Sequence, residues 1–432
     1  MENSIIDFNS IIKNFSTIAL KGEELDETNG FYVDTIEART GNPLESPIDD
    51  IFLDCTTENI HFIHLLLGHR GCGKSTEINK LEIKFKEKGF AVKKIDCQAE
   101  TNFATLQVED ILILISNALL DICDEKGINI NQSDIEKLTY FFDAKVEEIK
   151  DTEGAEYGLH SKIGLGFSKI VKISSVLKSQ IMGSSEKITT VRRNIINHFD
   201  EWNVCIDNII EKIKEKDNQK YPIIIFENFD KIVPTERAIN IFEKGYLEKI
   251  RTYIIYTFPI SLSYSEKFGT IEQYVSPHFF PMIDVKTKEG TKNERGYNTI
   301  KKIIAKRTNG NLDLFEEDAM NTLIEKTGGS LRDIFKVIVQ ALRYTGRQGK
   351  DKTGMEEINL ALQGEKSSIT RRIEKKDYPS LQEIHKAKTE IEDKSKMLRF
   401  LEAHVVLEYN GERWHDLHPL IYDFLKEHNS ID

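Results

Sequence analysis

Eight consecutive residues, Gly68-His69-Arg70-Gly71-Cys72-Gly73-Lys74-Ser75, satisfy the pattern G-x-x-x-x-G-K-[ST] without a mismatch. The chemistry this spacing serves is phosphate binding. Glycines admit backbone conformations closed to other residues, so the loop can turn its N–H groups inward around an anion. Lys74 offers a point charge to β- and γ-phosphates, and the Ser75 hydroxyl is a ligand for Mg²⁺. His69, Arg70, Cys72 and Thr76 fall in or beside the loop and count as nucleotide-contacting positions. At Cys72 a small residue with a working backbone N–H is enough. Acids follow at a distance. Glu227, with Asn228 and Asp230 beside it, ends the apolar run Ile223–Phe226, where a carboxylate can hold the Mg²⁺ water shell. Thr257 closes the next such run, placed to orient a γ-phosphate or an attacking water. Arg332, in the first turn of a helix opened by Ser330, can reach the phosphates from a lid. The chain reads as a nucleotide-binding protein.

These residues need a sheet and its helices to bring them together. His61–Leu67 is a short apolar run suited to a buried strand, and Thr76–Phe85 continues as a helix with Ile78, Leu81 and Phe85 at core spacing. Strand, glycine loop and helix N-terminus make an anion site. Further strands are expected at Ala91–Asp96, Tyr221–Phe226, Arg251–Pro259 and Phe279–Val285. Short apolar strands separated by helical segments imply an α/β fold, a parallel sheet with helices on both faces. Residues 101–220 are a mostly helical insertion. Within it Val191, Ile195, Phe199, Trp202, Ile206, Ile209 and Ile213 recur at steps of three and four, a heptad-like stripe. It reads as an amphipathic helix packed on its own domain, with an intermolecular coiled coil the alternative. Gly158, Gly164, Gly166 and Gly183 punctuate a stretch that is either a glycine-relieved hairpin or a mobile loop.

From about Lys301 the pattern is helical. Ser330 reads as an N-cap with Asp333 three residues on, and 355–363 is a further short helix. A helix near 381–402 is followed by Val405–Tyr409, the turn Asn410-Gly411 and Glu412–Leu417, a hairpin signal. Pro419 opens a last helix. Helices followed by a hairpin suggest a winged helix. The expected division is a lead-in at 1–60, an ATPase core at 61–290, a helical lid at 291–364 and a winged-helix-like domain at 365–432.

Composition narrows the partners. The 432 residues carry a net charge of −12, which opposes broad non-specific DNA binding. Lys366–Lys376, with five positive charges against one negative, is either a local nucleic-acid contact or a solvated linker. No apolar run reaches the ~18–20 residues that span a bilayer, and the N-terminus lacks the basic start of a secretory signal, so a cytoplasmic protein without membrane partners is expected. The five cysteines include no C-x-x-C pair, against a zinc ribbon. His415 and His418 have H-x-x-H spacing without nearby cysteines, and structural use is the favoured reading.

Taken together, Gly68–Glu77, Ile223–Lys231, Tyr256–Ile260, Gly328–Asp333 and Trp414–Pro419 resemble the prokaryotic AAA+ ATPases of the STAND and origin-recognition type. The resemblance implies an ATPase core, a lid and a winged helix. It implies ATP and Mg²⁺ as cofactors, Lys74 and Ser75 as Walker A residues, Glu227 as the Walker B acid, Thr257 as sensor 1 and Arg332 as sensor 2. It further implies a homo-oligomer acting as an ATP-gated switch on a separately encoded effector, with anti-phage defence a common setting. A DNA-binding ATPase resembling initiators or transposition regulators is the alternative. Two positions depart from the pattern. Glu227 replaces an aspartate, and Asn228 stands where many such enzymes carry the catalytic glutamate. An amide cannot act as a general base, so either Asp230 takes that role or hydrolysis is slow.

Overall fold

The computed structural model describes residues 8–57, 62–142, 176, 178, 181–182, 186–232, 234–409 and 413–431. Five parallel strands form one sheet: β1 (Ile63–Gly68), β2 (Val92–Asp96), β3 (Ile223–Glu227), β4 (Tyr253–Pro259) and β5 (Val275–Phe279). Their order is β2-β3-β4-β1-β5. The sequences account for it. β1, β3 and β4 are buried at every position, as strands covered on both faces must be. β2 and β5 interleave partly exposed residues and take the edges. This is an α/β fold built on a parallel sheet with helices on both faces. The chain leaves β1 across β4 and β3, while β5 lies on its other side, so the loop after β1 opens at the carboxyl ends of the strands, where such sheets bind ligands.

The strand expected at Phe279–Val285 lies earlier, at Val275–Phe279. Its pairing with β1 ends at the Phe280 N–H to Leu67 carbonyl bond of 2.7 Å. The chain then turns to the N-terminal segment, where the Asp284 N–H reaches the Ala38 carbonyl at 3.0 Å.

One sheet face carries the helices Pro47–Thr56 and Lys74–Glu87, which bury Ile48, Ile51, Ile78, Leu81 and Phe85. The other face carries the 101–220 insertion through helices Val108–Lys126, Gln132–Phe142, Glu186–Asn197 and Phe199–Lys216. The periodic stripe is two helices, not one, interrupted at His198. Its seven apolar residues are at most 6% exposed and share a core with Ile224, Phe226 and Ile254 of the sheet. The stripe is therefore spent inside the chain. Two polar contacts fix its register. The Trp202 indole N–H donates to Ser116 Oγ at 3.2 Å, and Arg192 grips the buried Asp110 carboxylate at 2.8 and 2.7 Å. Apart from Val176, Lys178, Ile181 and Met182, the glycine-punctuated stretch from Gly158 to Gly183 lies outside the described residues.

The segment expected as a lid carries helices Glu294–Arg307, Glu317–Thr327, Leu331–Arg347 and the start of Met355–Thr370. Ser330 caps the third, its hydroxyl accepting from the Asp333 N–H at 3.4 Å. The helix expected at 355–363 runs on to Thr370 and so crosses the boundary drawn at 364/365. Lid and C-terminal elements share one apolar core. The single helix expected near 381–402 is two, Tyr378–Ala387 and Lys394–Glu402. Lys388 turns left-handed, and Asp393 caps a new start by accepting from the Lys396 N–H at 3.0 Å. Antiparallel β6 (Val406–Tyr409) and β7 (Trp414–Leu417) and the helix Pro419–Glu427 complete the helix-helix-hairpin-helix order. The Asn410-Gly411 turn lies outside the described residues.

Because Trp202 fills the interior of the insertion, Trp202→Ala should destabilise the chain by about 3–5 kcal/mol. Urea denaturation at two protein concentrations checks this. The same midpoint at both is expected, whereas a concentration-dependent midpoint would point to the coiled-coil alternative.

Candidate functional site

The glycine loop leaves β1 at Gly68 and feeds the Lys74–Glu87 helix. Gly71 (φ 84°) and Gly73 (φ 114°) occupy backbone regions that disfavour side chains, and Gly73 caps the helix. A Cβ on Gly71 would meet Arg332 Cβ at 2.6 Å, so the lid arginine lies directly against the loop. Lys74 is 4% exposed. Its ammonium donates to the Gly68 and His69 carbonyls at 2.8 and 3.0 Å and pairs with Asp230 Oδ2 at 2.9 Å.

Three strand tips bring the acids to this lysine. Glu227 ends β3 beside the Ser75 hydroxyl, with the Lys94 ammonium 3.9 Å away. Burial raises its pKa, and Lys94 and Ser75 partly offset that. Asn228 adopts a left-handed conformation (φ 63°) that asparagine tolerates well. The turn swings its amide onto Asp96 at the tip of β2, Nδ2 to Oδ1 2.7 Å. Asp230 sits in the one-turn helix that follows. Burial pushes its carboxyl up, but Lys74 outweighs this and holds it below the ordinary range. Thr257 is fully buried behind Asp230. Its hydroxyl accepts from the Phe229 N–H at 3.2 Å and lies 3.4 Å from Asp230 Oδ1. The Arg70 guanidinium donates to the Asp230 carbonyl at 3.2 Å.

Lys74, Ser75, Glu227, Asp230 and Arg332 thus border one cleft of about 480 Å³. Thr257 does not line it and meets it only through Asp230. Asp96 and Asn228 do line it. Asp96 had no sequence signal beyond closing a strand.

The N-terminal segment, expected as a lead-in, is a wall of this cleft. Residues Ser16–Lys21 and Phe31–Val33 border it, the Leu20 N–H donates to Thr76 Oγ1 at 3.3 Å, and Asn79 Nδ2 reaches the Leu20 carbonyl at 2.8 Å. Arg39 carries the tightest tie. It is almost wholly buried, donates to Thr35 Oγ1 at 2.7 Å, to the Cys72 carbonyl at 2.6 Å and to the Pro281 carbonyl, and lies over the Phe280 ring. Cys72 is buried and takes part through that carbonyl. Nearby, Tyr32 donates to the Glu77 carboxylate at 3.2 Å. Burial raises Glu77 to about 7 against the pull of Arg39 and Lys80. No local spacing announces these residues, since, Thr35 apart, their partners lie tens to hundreds of positions away. Arg307 is buried beside this same cleft, Arg237 donates to the Phe103 carbonyl at 2.6 Å, and Arg251 is exposed.

Behind the loop stands the C-terminal hairpin. His69 is buried and its Nε2 accepts from the Glu408 N–H at 2.9 Å. The Tyr409 hydroxyl donates to the Gly328 carbonyl at 3.0 Å, and Tyr264 touches Glu408 Oε2 and His415 Nε2 at 2.5 and 2.6 Å. Leu407, Tyr409 and Trp414 join the apolar cluster of Cys72 and Phe280. His415 and His418 do not converge. His418 Nδ1 caps the last helix through the Leu420 N–H at 3.2 Å, and its Nε2 lies 3.8 Å from Asp333. In the basic segment, Lys366 pairs with Glu427 at 2.6 Å, Lys376 with Glu374 at 2.9 Å, and Arg372 donates to the Ala403 carbonyl at 2.7 Å. Arg371 and Lys375 stay exposed.

No protein-family profile matches the chain, and no curated protein matches it. Solved structures do. Cdc6p from Pyrobaculum aerophilum is similar at 12% identity over 95% of this chain and 99% of that one, with a TM-score of 0.37. The Aeropyrum pernix ORC2 protein, in ADPNP–ADP complexes, is similar at 12% over 95% and 97%, TM-score 0.40. The Walker-type ATPase paby2304 of Pyrococcus abyssi is similar at 12% over 92% and 99%, TM-score 0.44. Among the described residues no helix is long and apolar enough to cross a membrane.

The raised Glu77 sets a pH dependence. A carboxyl whose folded pKa is about 7 contributes most stability below its ordinary 4.5, and that contribution is lost as pH rises through 7. Between about pH 5 and pH 8 the wild type should lose about 2–3 kcal/mol relative to Glu77→Gln. Urea denaturation of both proteins at the two pH values measures it, and parallel pH profiles would contradict it.

Proposed function

We propose that the chain binds MgATP in the cleft and hydrolyses it slowly, as a switch of the AAA+/STAND type. The single observation that carries this is the convergence of Lys74, Ser75, Glu227 and Arg332 on one cleft, whose loop is also held from behind by the C-terminal hairpin through His69. In this reading Lys74 exchanges Asp230 for the β- and γ-phosphates. The loop N–H groups cradle the anion, and Arg332 adds charge from the lid. The Ser75 hydroxyl beside the Glu227 carboxylate is a donor set suited to a hard, oxygen-liganded cation, and Mg²⁺ held there would offset phosphate charge. Residues Ser16–Lys21 and Phe31–Val33 cover the remainder of the nucleotide.

For hydrolysis the geometry favours Asp96 over Asp230 as the working carboxylate. Asp230 is fixed in its turn by the Arg70 contact and the Thr257 hydroxyl, whereas Asp96 meets the amide of Asn228 at the cleft. We assign Asn228 to orient the attacking water and Asp96 to accept its proton. Thr257 acts as a support for the Asp230 turn. Action on a separately encoded effector, assembly as a homo-oligomer and a setting in anti-phage defence rest on the motif resemblance. The DNA-binding alternative draws less support, since three of the five cations in Lys366–Lys376 are engaged within the chain.

Two sets of variants test the proposal. Lys74→Ala should abolish saturable MgATP binding in a chain that keeps its circular dichroism, and unchanged affinity would remove the phosphate-loop assignment. Asp96→Asn should lower turnover by about 10²-fold or more, the scale of general-base loss, with MgATP affinity nearly intact. If Asp96→Asn turns over at the wild-type rate while Asp230→Asn does not, the base is Asp230.

A further inference from the structure

Away from the cleft, at the opposite part of β1, three chemically matched side chains meet. His64 is the second residue of β1, and the phosphate loop begins about 13 Å further along the strand, at ~3.3 Å per residue. β1 and β5 pair in parallel with Leu66 opposite His278. His64 and His278 are thus offset by two positions and project from the same sheet face. Asp54 comes down on them from the Pro47–Thr56 helix, which packs on that face through Ile48, Ile51 and Cys55. His64 is fully buried, His278 is 8% exposed, and the Asp54 side chain is 23% exposed, so the carboxylate stands at the water side.

We propose that Asp54, His64 and His278 bind a divalent transition-metal ion, with zinc the ion their donor types suit. His64 Nδ1 and His278 Nε2 are 3.1 Å apart, and Asp54 Oδ2 lies 3.8 and 3.9 Å from them. A triangle with those sides has a circumradius of about 2.1 Å, equal to the usual Zn–N and Zn–O distances. The point at bonding distance from all three donors lies in their plane, so a four-coordinate ion, drawn out of that plane, would take the partly exposed Asp54 carboxylate inward by about half an ångström. The simpler arrangement is two imidazoles sharing one N–H···N bond. It uses only the 3.1 Å separation, whereas the carboxylate oxygen 3.8 and 3.9 Å from the two nitrogens supplies a third donor of opposite charge to a cation. Two imidazoles and one carboxylate are a borderline donor set that suits zinc better than magnesium or calcium. Three protein ligands with the carboxylate toward solvent leave a fourth position for water and an entry path. The ion would staple the segment that carries Arg39 to β1 and to the edge strand β5.

The sequence hid this site. Its ligands are 10 and 214 positions apart, and no spacing motif joins them. The proposal is independent of the nucleotide reading.

The test uses the full chain, stripped of metal by chelator dialysis and kept in millimolar Mg²⁺ to occupy hard oxygen sites. Zn²⁺ is titrated calorimetrically, and Co²⁺ is added separately for its visible absorption. One Zn²⁺ per chain is expected, with a four-coordinate Co²⁺ spectrum and a zinc-dependent rise in Tm. His278→Ala should lose all three signals. Asp54→Asn, a change at the water side that spares the core, should weaken zinc binding by about tenfold or more while leaving MgATP affinity unchanged. Absence of stoichiometric zinc binding by the wild type would overturn the proposal. So would zinc binding that persists unchanged in both Asp54→Asn and His278→Ala.

Discussion

A lysine shielded from water keeps its charge only if the protein replaces its lost hydration, and Lys74 is met by three oxygens. Two are carbonyls of its own loop, from Gly68 and His69, and the third is the Asp230 carboxylate. Removing one partner of a buried pair leaves an uncompensated charge at a cost of about 3–5 kcal/mol. The pair therefore dictates its surroundings. Asp230 must be held in place, which Thr257 does from β4 and Arg70 from the loop. In this way one ammonium ties together the tips of β1, β3 and β4. The same lysine is the group a polyphosphate would claim, so a ligand that takes it must also release Asp230 and the turn that carries it.

Two further contacts extend that constraint through the chain. Arg39 fastens the N-terminal segment to the loop at Cys72 and to the connection after β5 at Pro281, so three separate parts of the sequence meet on one guanidinium. His69 fastens the C-terminal hairpin to the loop's far side, and Tyr409 fastens the same hairpin to the lid at Gly328. A displacement of the loop is thereby felt at both ends of the chain. Closely packed interiors move between discrete arrangements rather than deforming continuously, which suits a switch.

How much of this could be read beforehand follows the range of the interactions. The phosphate loop, the Ser330 cap and the buried strands β1, β3 and β4 are set by neighbours a few positions away, and they were legible. The sequence places edge strand β5 four residues late at its start and six at its end, because its apolar continuation, Phe280 to Val285, is buried against the N-terminal segment rather than in the ladder. The Lys388–Asp393 break was missed because a left-handed lysine leaves no sequence mark. Asp96, Arg39, Glu77 and the Asp54–His64–His278 cluster take their places in these sites through partners distant in sequence. Thr257 was found at the correct strand end, but its hydroxyl faces Asp230 rather than the cleft. That depends on a one-turn helix that composition does not specify.

The central claim is that one nucleotide is enclosed by three parts of a single chain: the N-terminal segment, the phosphate loop and the lid. Hydrogen exchange of the full chain with and without MgATP tests this most directly. The account predicts slowed exchange at residues 16–21, 68–76 and 331–335 together, at the same nucleotide concentration. Protection confined to 68–76, or none in any of the three, would contradict it.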